Sequence, residues 1–126
     1  DLVKPEAVLL LAYDDPLGIT AAFDLNVLRN VNALLESNFE VADWRHVAFF
    51  DPQHSRIEMH VEARSDVVVR WPGATRHFAA GDRIHTENSY KYTPESLRQL
   101  LTRSGYRSVQ LYTDDWCGFA VALAAA

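Results

Sequence analysis

Cysteine is nearly missing from this chain. Cys117 stands alone among 126 residues, which excludes an internal disulfide framework and fits a reducing, cytoplasmic setting. Glycine is sparse too. Gly18, Gly73, Gly81, Gly105 and Gly118 are scattered, and none opens a βα unit with dinucleotide-loop spacing. Basic clusters are absent and the net charge is −5, which argues against a nucleic-acid surface. No apolar run approaches the length of a membrane span, and no charged-then-apolar signal peptide opens the chain. Paired-cysteine zinc patterns, an HExxH pair and a nucleophile elbow are all missing. The five histidines, His46, His54, His60, His77 and His85, fall in separate strands and turns. Their spacing supports no metal site, and surface or hydrogen-bonded histidines are expected instead.

What is present suits one folded domain: 48% of the residues are hydrophobic and 23% charged. The chain opens on Asp1 rather than Met and stops on the apolar "FAVALAAA". Both ends read as the interior of a longer protein. Pro5 suits the first turn of a short helix through Leu11, which "YDDPLGIT" breaks. A longer helix is expected from about Thr20 to Leu35, with Ile19, Phe23, Val27, Val31 and Leu34 at helical spacing.

The middle reads as antiparallel β. "HVAFF" leads to a turn at Asp51-Pro52-Gln53-His54, and "RIEMHVEA" alternates, with Ile57, Met59, Val61 and Ala63 on one face. "DVVVRW" closes at Pro72-Gly73, and "RHFAAGDRIHTENSYKY" supplies a short apolar segment, a turn at Gly81 and a further strand. Thr93 is placed to cap a helix with Pro94 at its first position, a buried stripe of Leu97, Leu100 and Leu101, and a stop at Gly105. "YRSVQLYT" and "WCGFAVALA" read as two closing strands around Asp114-Asp115. The fold class is α+β. Trp44, Trp71 and Trp116 read as packing residues, and Cys117 as a small buried side chain.

One strand is unusual. In "IHTENSYKY" strict alternation places Ile84, Thr86, Asn88, Tyr90 and Tyr92 on one side and His85, Glu87, Ser89 and Lys91 on the other. Neither side is plainly apolar. A solvated edge explains this, and so does a small polar ligand. Glu87 and Ser89 lie roughly 6.7 Å apart on one strand face, close enough to converge on one small group. An imidazole suits them: a carboxylate accepts its N–H, and a hydroxyl serves the other nitrogen. Tyr13 and Thr20 flank the "DDPLG" turn, where free helix N–H groups favour an anionic group; a packed Tyr and a capping Thr are the alternative. Met59 reads as core.

Several stretches together resemble one family. "DLVKPEAVLLLAYDDPLGITAAFDLNVLRNVN", "RIEMHV", "FAAGDRIHTENSYKY" and "GYRSVQLYTDD" are similar to the C-terminal part of the histidine-specific, S-adenosylmethionine-dependent methyltransferases, known from the ergothioneine pathway. The resemblance implies that Glu87 and Ser89 hydrogen-bond the substrate imidazole, that Met59 packs beside that ring, and that Tyr13 and Thr20 lie near the amino-acid substrate. No residue here is implied to be catalytic; Glu87 and Ser89 orient the ring. Asp24 stands where the family commonly has Asn. The resemblance also implies that residues 1–126 are a substrate-binding lobe plus closing elements of a Rossmann-like methyltransferase sheet. The N-terminal region that binds S-adenosylmethionine is then absent from these residues, and no cofactor is expected on this chain. An isolated chain of this kind is expected to be inactive and to self-associate. The other reading is a non-catalytic small-ligand-binding or structural domain with the same fold.

Overall fold

The computed structural model describes residues 1–126. The elements run α1 (Glu6–Tyr13), α2 (Ile19–Leu35), a 3-10 turn (Val41–Asp43), β1 (Trp44–Asp51), β2 (Arg56–Ala63), β3 (Val67–Trp71), β4 (Ala74–Phe78), β5 (Arg83–Tyr90), α3 (Pro94–Arg103), β6 (Ser108–Thr113) and β7 (Ala120–Ala125). The fold is α+β, as expected. β1, β2 and β5 form an antiparallel sheet in the order β1-β2-β5, while β3–β4 and β6–β7 are separate hairpins. No helix is long and apolar enough to cross a membrane.

The alternation of "RIEMHVEA" makes β2 the centre of the larger sheet. Ile57, Met59, Val61 and Ala63 are all buried. Because paired residues share a face, β1 adds Phe50, Ala48, His46 and Trp44 to that inner side. Two apolar clusters cover it. Leu28, Trp44, Val61, Ala63, Val69 and Phe78 form the larger, and Leu9, Ile57 and Met59 the smaller. Trp44 meets Phe78 edge-on at 5.0 Å, a favoured aromatic geometry. The β3–β4 hairpin closes over Pro72-Gly73, where Gly73 has φ +86°, a conformation that costs side chains other than glycine.

β5 departs from simple alternation. Its register runs Ile57↔Ser89 and Met59↔Glu87, but then His60↔His85 and Val61↔Ile84, with a shift between Met59 and His60. Thr86 is the extra residue of a β-bulge. Its side chain donates to the Met59 carbonyl at 2.8 Å. The bulge corrects the expected faces. Glu87 and Ser89 share the inner face with Ile84, while His85 turns to the outer face with Asn88 and Tyr90.

Several other expectations need correction. α1 continues to Tyr13, two residues beyond Leu11. Of the apolar stripe expected on α2, Ile19, Phe23 and Leu34 are exposed, and the buried positions are Asp24 and Leu28. Thr93 does cap α3, and Ser96 completes a reciprocal capping box, but no residue of α3 is buried and Leu100 is exposed. Trp116 is 92% exposed, and Cys117 is exposed rather than buried. Each of these residues lies where little of the chain packs over it.

Candidate functional site

The inner face of β5 meets the end of α1 and the middle of α2. Tyr13 is the last residue of α1, and its hydroxyl lies 2.6 Å from Ser89 Oγ. Lys91, continuing β5 on the same side, donates to both oxygens at 2.7 Å. The ammonium has no exposed surface and stands 3.3 Å from an Asp1 carboxylate oxygen. A buried cation has to be paired or hydrogen-bonded, and these three partners do that.

The triangle leaves a proton unspent. Lys91 supplies two hydrogens, and one hydroxyl supplies the hydrogen between Tyr13 and Ser89. The other hydroxyl hydrogen is free to donate outward. Burial opposes ionisation of the Tyr13 phenol, but the hydrogen bonds from Lys91 and Ser89 outweigh it and hold the phenol below its usual range.

Glu87 pairs directly across from Met59. Met59 is buried with Leu9 and Ile57, and Tyr13 packs on the same cluster. Glu87 itself is exposed. With Thr86 it forms one wall of a cleft of about 210 Å³ whose other wall is α2, presenting Phe23, Asp24, Asn26 and Asn30. This is smaller than the roughly 300–1,000 Å³ of a complete small-molecule site.

Thr20 is committed elsewhere. Its hydroxyl donates to the Ala12 carbonyl at 2.9 Å, fastening α2 to α1. The N–H groups of Ile19 and Thr20 both reach the Asp15 carboxylate, at 3.1 and 2.8 Å. The start of α2 is therefore capped from within the chain, which corrects the expectation of free N–H groups awaiting an anion. Those N–H groups hold the Asp15 carboxyl below its ordinary range, Thr20 contributing most.

Beneath the site lies a pair that the sequence reading did not assign. His46 Nδ1 is 2.7 Å from Asp24 Oδ2, and both side chains are 2% exposed. His46 Nε2 is 2.7 Å from the Tyr13 carbonyl. A carbonyl only accepts, so Nε2 carries a hydrogen. The Asp24 contact then holds a second hydrogen, as an ion pair or as its neutral tautomer. Either way β1 and α2 jointly grip the last carbonyl of α1 and fix where Tyr13 stands. Lys91 was legible as a neighbour of Glu87 and Ser89 by parity. The His46–Asp24 contact had no sequence signal, because it joins residues 22 positions apart across two elements.

The outer face is ionic and aromatic. Glu62 is buried between Arg45 and Arg83. Arg83, and then Arg45, hold its carboxyl below the usual value of 4.5. A carboxylate with a depressed folded-state pKa stabilises the fold above the unfolded range and loses that contribution as pH falls through the folded value. Glu62→Gln should therefore flatten the fall in unfolding free energy below about pH 4.5, measured by urea titration; an acid limb as steep as the parent's would contradict this. Further along, His60 stacks between Phe49, at 5.3 Å, and His85, at 4.5 Å. Burial, and then the neighbouring His85, lower the His60 pKa.

A family model described as "Histidine-specific methyltransferase, SAM-dependent" matches residues 1–126. The chain is 40% identical over 127 residues to the histidine N-alpha-methyltransferase of Mycobacterium tuberculosis, covering 99% of this chain and 40% of that protein. It is 40% identical to the protein of the same name from Mycolicibacterium smegmatis, of which it covers 39%. Ergothioneine biosynthesis protein 1 of Schizosaccharomyces pombe is 30% identical over 103 residues, spanning 81% of this chain and 13% of that protein. The chain thus spans about 40% of the length of the bacterial relatives.

Proposed function

The chain belongs to the histidine-specific, SAM-dependent methyltransferase family, and from that membership we propose that it is the substrate-binding part of an N-methyltransferase acting on histidine or a related amino acid. One observation carries this reading. The bulge in β5 turns Glu87 and Ser89 to the same face as Tyr13 and Met59. That face then offers an acceptor, a hydroxyl and an apolar floor, the three features an imidazole can use. Glu87 accepts one ring N–H. The free hydroxyl hydrogen of the Tyr13–Ser89 pair donates to the ring's other nitrogen, and Met59 lies under the ring. Lys91 keeps the two hydroxyls in place. The role is orientation, which converts a loose encounter into a directed one.

The cofactor does not fit this chain's own residues. Every ladder is antiparallel. There is no parallel β-α-β crevice of the kind that takes a nucleoside cofactor above a glycine-rich turn. We assign S-adenosylmethionine to a region outside residues 1–126. Calorimetric titration of the chain with S-adenosylmethionine should show no saturable heat; micromolar saturation would overturn the assignment.

The β6–β7 hairpin fits the same picture. Tyr112, Phe119, Val121 and Leu123 are all exposed on it, and its two strands pair only with each other. We assign it to the edge of the larger methyltransferase sheet. Unpaired edges and apolar faces invite pairing with another copy, so the isolated chain should self-associate. Light scattering should show a mass that rises with concentration; a constant monomer mass would count against this.

The whole reading is tested by methyl transfer from the longer protein that carries this chain. Preference for histidine over aromatic amino acids is expected, and equal use of both would sink it.

A further inference from the structure

The side of the β1-β2-β5 sheet turned away from α1 and α2 carries a cluster that the proposed substrate site does not use. We propose that Glu58, His60 and His85 form a divalent-metal site that accepts zinc(II), placed back to back with the substrate face.

The strand register builds it. His60 and His85 are direct cross-strand partners, and Glu58 lies two residues before His60 on the same face. One donor atom from each of the three falls within 4.8 Å of the others. The groups are also free in the sense that matters for coordination. Arg56 takes Glu58 Oε1, its Nε at 2.9 Å. That leaves Oε2, which stands 3.5 Å from His60 Nε2, too far for a good hydrogen bond. His60 is buried, and its Nδ1 has no hydrogen-bond partner at all. An orphaned buried nitrogen is costly and calls for an explanation.

His85 supplies an independent sign. Its Nε2 lies 3.1 Å from the Glu87 carbonyl. A carbonyl only accepts, so Nε2 carries the hydrogen, and Nδ1 keeps the lone pair of the neutral ring. Metal-bound histidines are typically set in this way, with the second ring nitrogen donating to a carbonyl or carboxylate. The neighbouring cations are already engaged, Arg56 by Glu58 and both Arg45 and Arg83 by Glu62. Two imidazoles and one carboxylate are a donor set that zinc accepts with a position left open. Bonds of about 2.0–2.2 Å need the donors closer than they now stand. His85 is exposed at the sheet surface, so small side-chain shifts about its contact with the Glu87 carbonyl can bring the donors together.

Zinc chloride titrated into the chelator-treated chain tests this, with calorimetry for stoichiometry and imidazole C–H resonances for location. The expected result is one saturable zinc per chain that shifts the resonances of His60 and His85. Binding should be lost in His85→Ala and weakened in Glu58→Gln, and it should be unchanged in His54→Ala. His85 is exposed and Glu58→Gln keeps the side chain's shape, so circular dichroism should show both variants folded. No saturable binding, binding that survives His85→Ala, or binding that leaves the two resonances unmoved would overturn the proposal. The test reads metal alone, so its outcome is independent of the substrate assignment.

Discussion

In the longer protein that carries this chain, Glu87→Ala is expected to lower kcat/KM for histidine by about one to two decades while barely changing stability. A charge-assisted hydrogen bond contributes about 1.5–3 kcal/mol, and a loss of that size appears directly as catalytic efficiency. Glu87 is exposed and sits at the rim of the α2 cleft, so folding has little stake in it. A less polar pocket should also reject aromatic amino acids less strongly. Ser89→Ala should act in the same direction and more mildly, since Tyr13 and Lys91 remain hydrogen-bonded to each other at 2.7 Å. Steady-state kinetics with histidine and an aromatic competitor decide the matter. If the carboxylate is merely a solvated strand residue, stability shifts by only about half a kcal/mol and both substrates behave as in the parent.

The largest expected loss of stability comes from Asp24→Ala. His46 would keep its Nε2–H on the Tyr13 carbonyl but would have nothing at Nδ1, in a site where both side chains are 2% exposed. The size of the loss reports the state of the pair. An orphaned neutral nitrogen costs about 1–3 kcal/mol, whereas breaking a buried ion pair costs about 3–5 kcal/mol. Asp24→Asn leaves an oxygen acceptor and should cost less than Asp24→Ala. Urea unfolding of the three proteins measures this, and a loss under about half a kcal/mol for Asp24→Ala would refute the clamp. Because His46 holds Tyr13, Asp24→Ala should also weaken histidine use without touching Glu87 or Ser89.

How much of this was readable beforehand depended on how local each signal was. β2 was legible because its apolar residues alternate from Ile57 to Ala63 and all four are buried, although the burial of His60 and Glu62 on the other face was not readable from that pattern. The Thr93 cap and the Pro72-Gly73 turn were legible because a few adjacent residues decide them. α2 was legible as a helix, but its buried side was not. Helical spacing marks an apolar stripe without saying what covers it, and Phe23 and Leu34 are exposed while the charged Asp24 is buried. Glu87, Ser89 and Met59 could be named through family resemblance. The sides they face, the role of Lys91 and the His46–Asp24 clamp depend on pairings between distant segments, which no local pattern carries.

The inserted Thr86 turns position into meaning. Upstream of it, even-numbered residues of β5 point toward the helices; downstream, odd-numbered ones do. Exchanging specificity between relatives by transplanting part of this strand therefore succeeds only if donor and acceptor carry the extra residue at the same place. Deleting Thr86 would close the bulge and restore strict alternation with Ile84, Glu87 and Ser89 still on the inner face, at the loss of the hydrogen bond to the Met59 carbonyl. Flattening the bulge with Thr86 kept is the damaging change: either Glu87 and Ser89 would turn to the solvent side, or Ile84 would leave the inner face. A library that varies length here would sample substrate range and folding in a single step, whereas one that varies only residue type would sample the first with far less risk to the second.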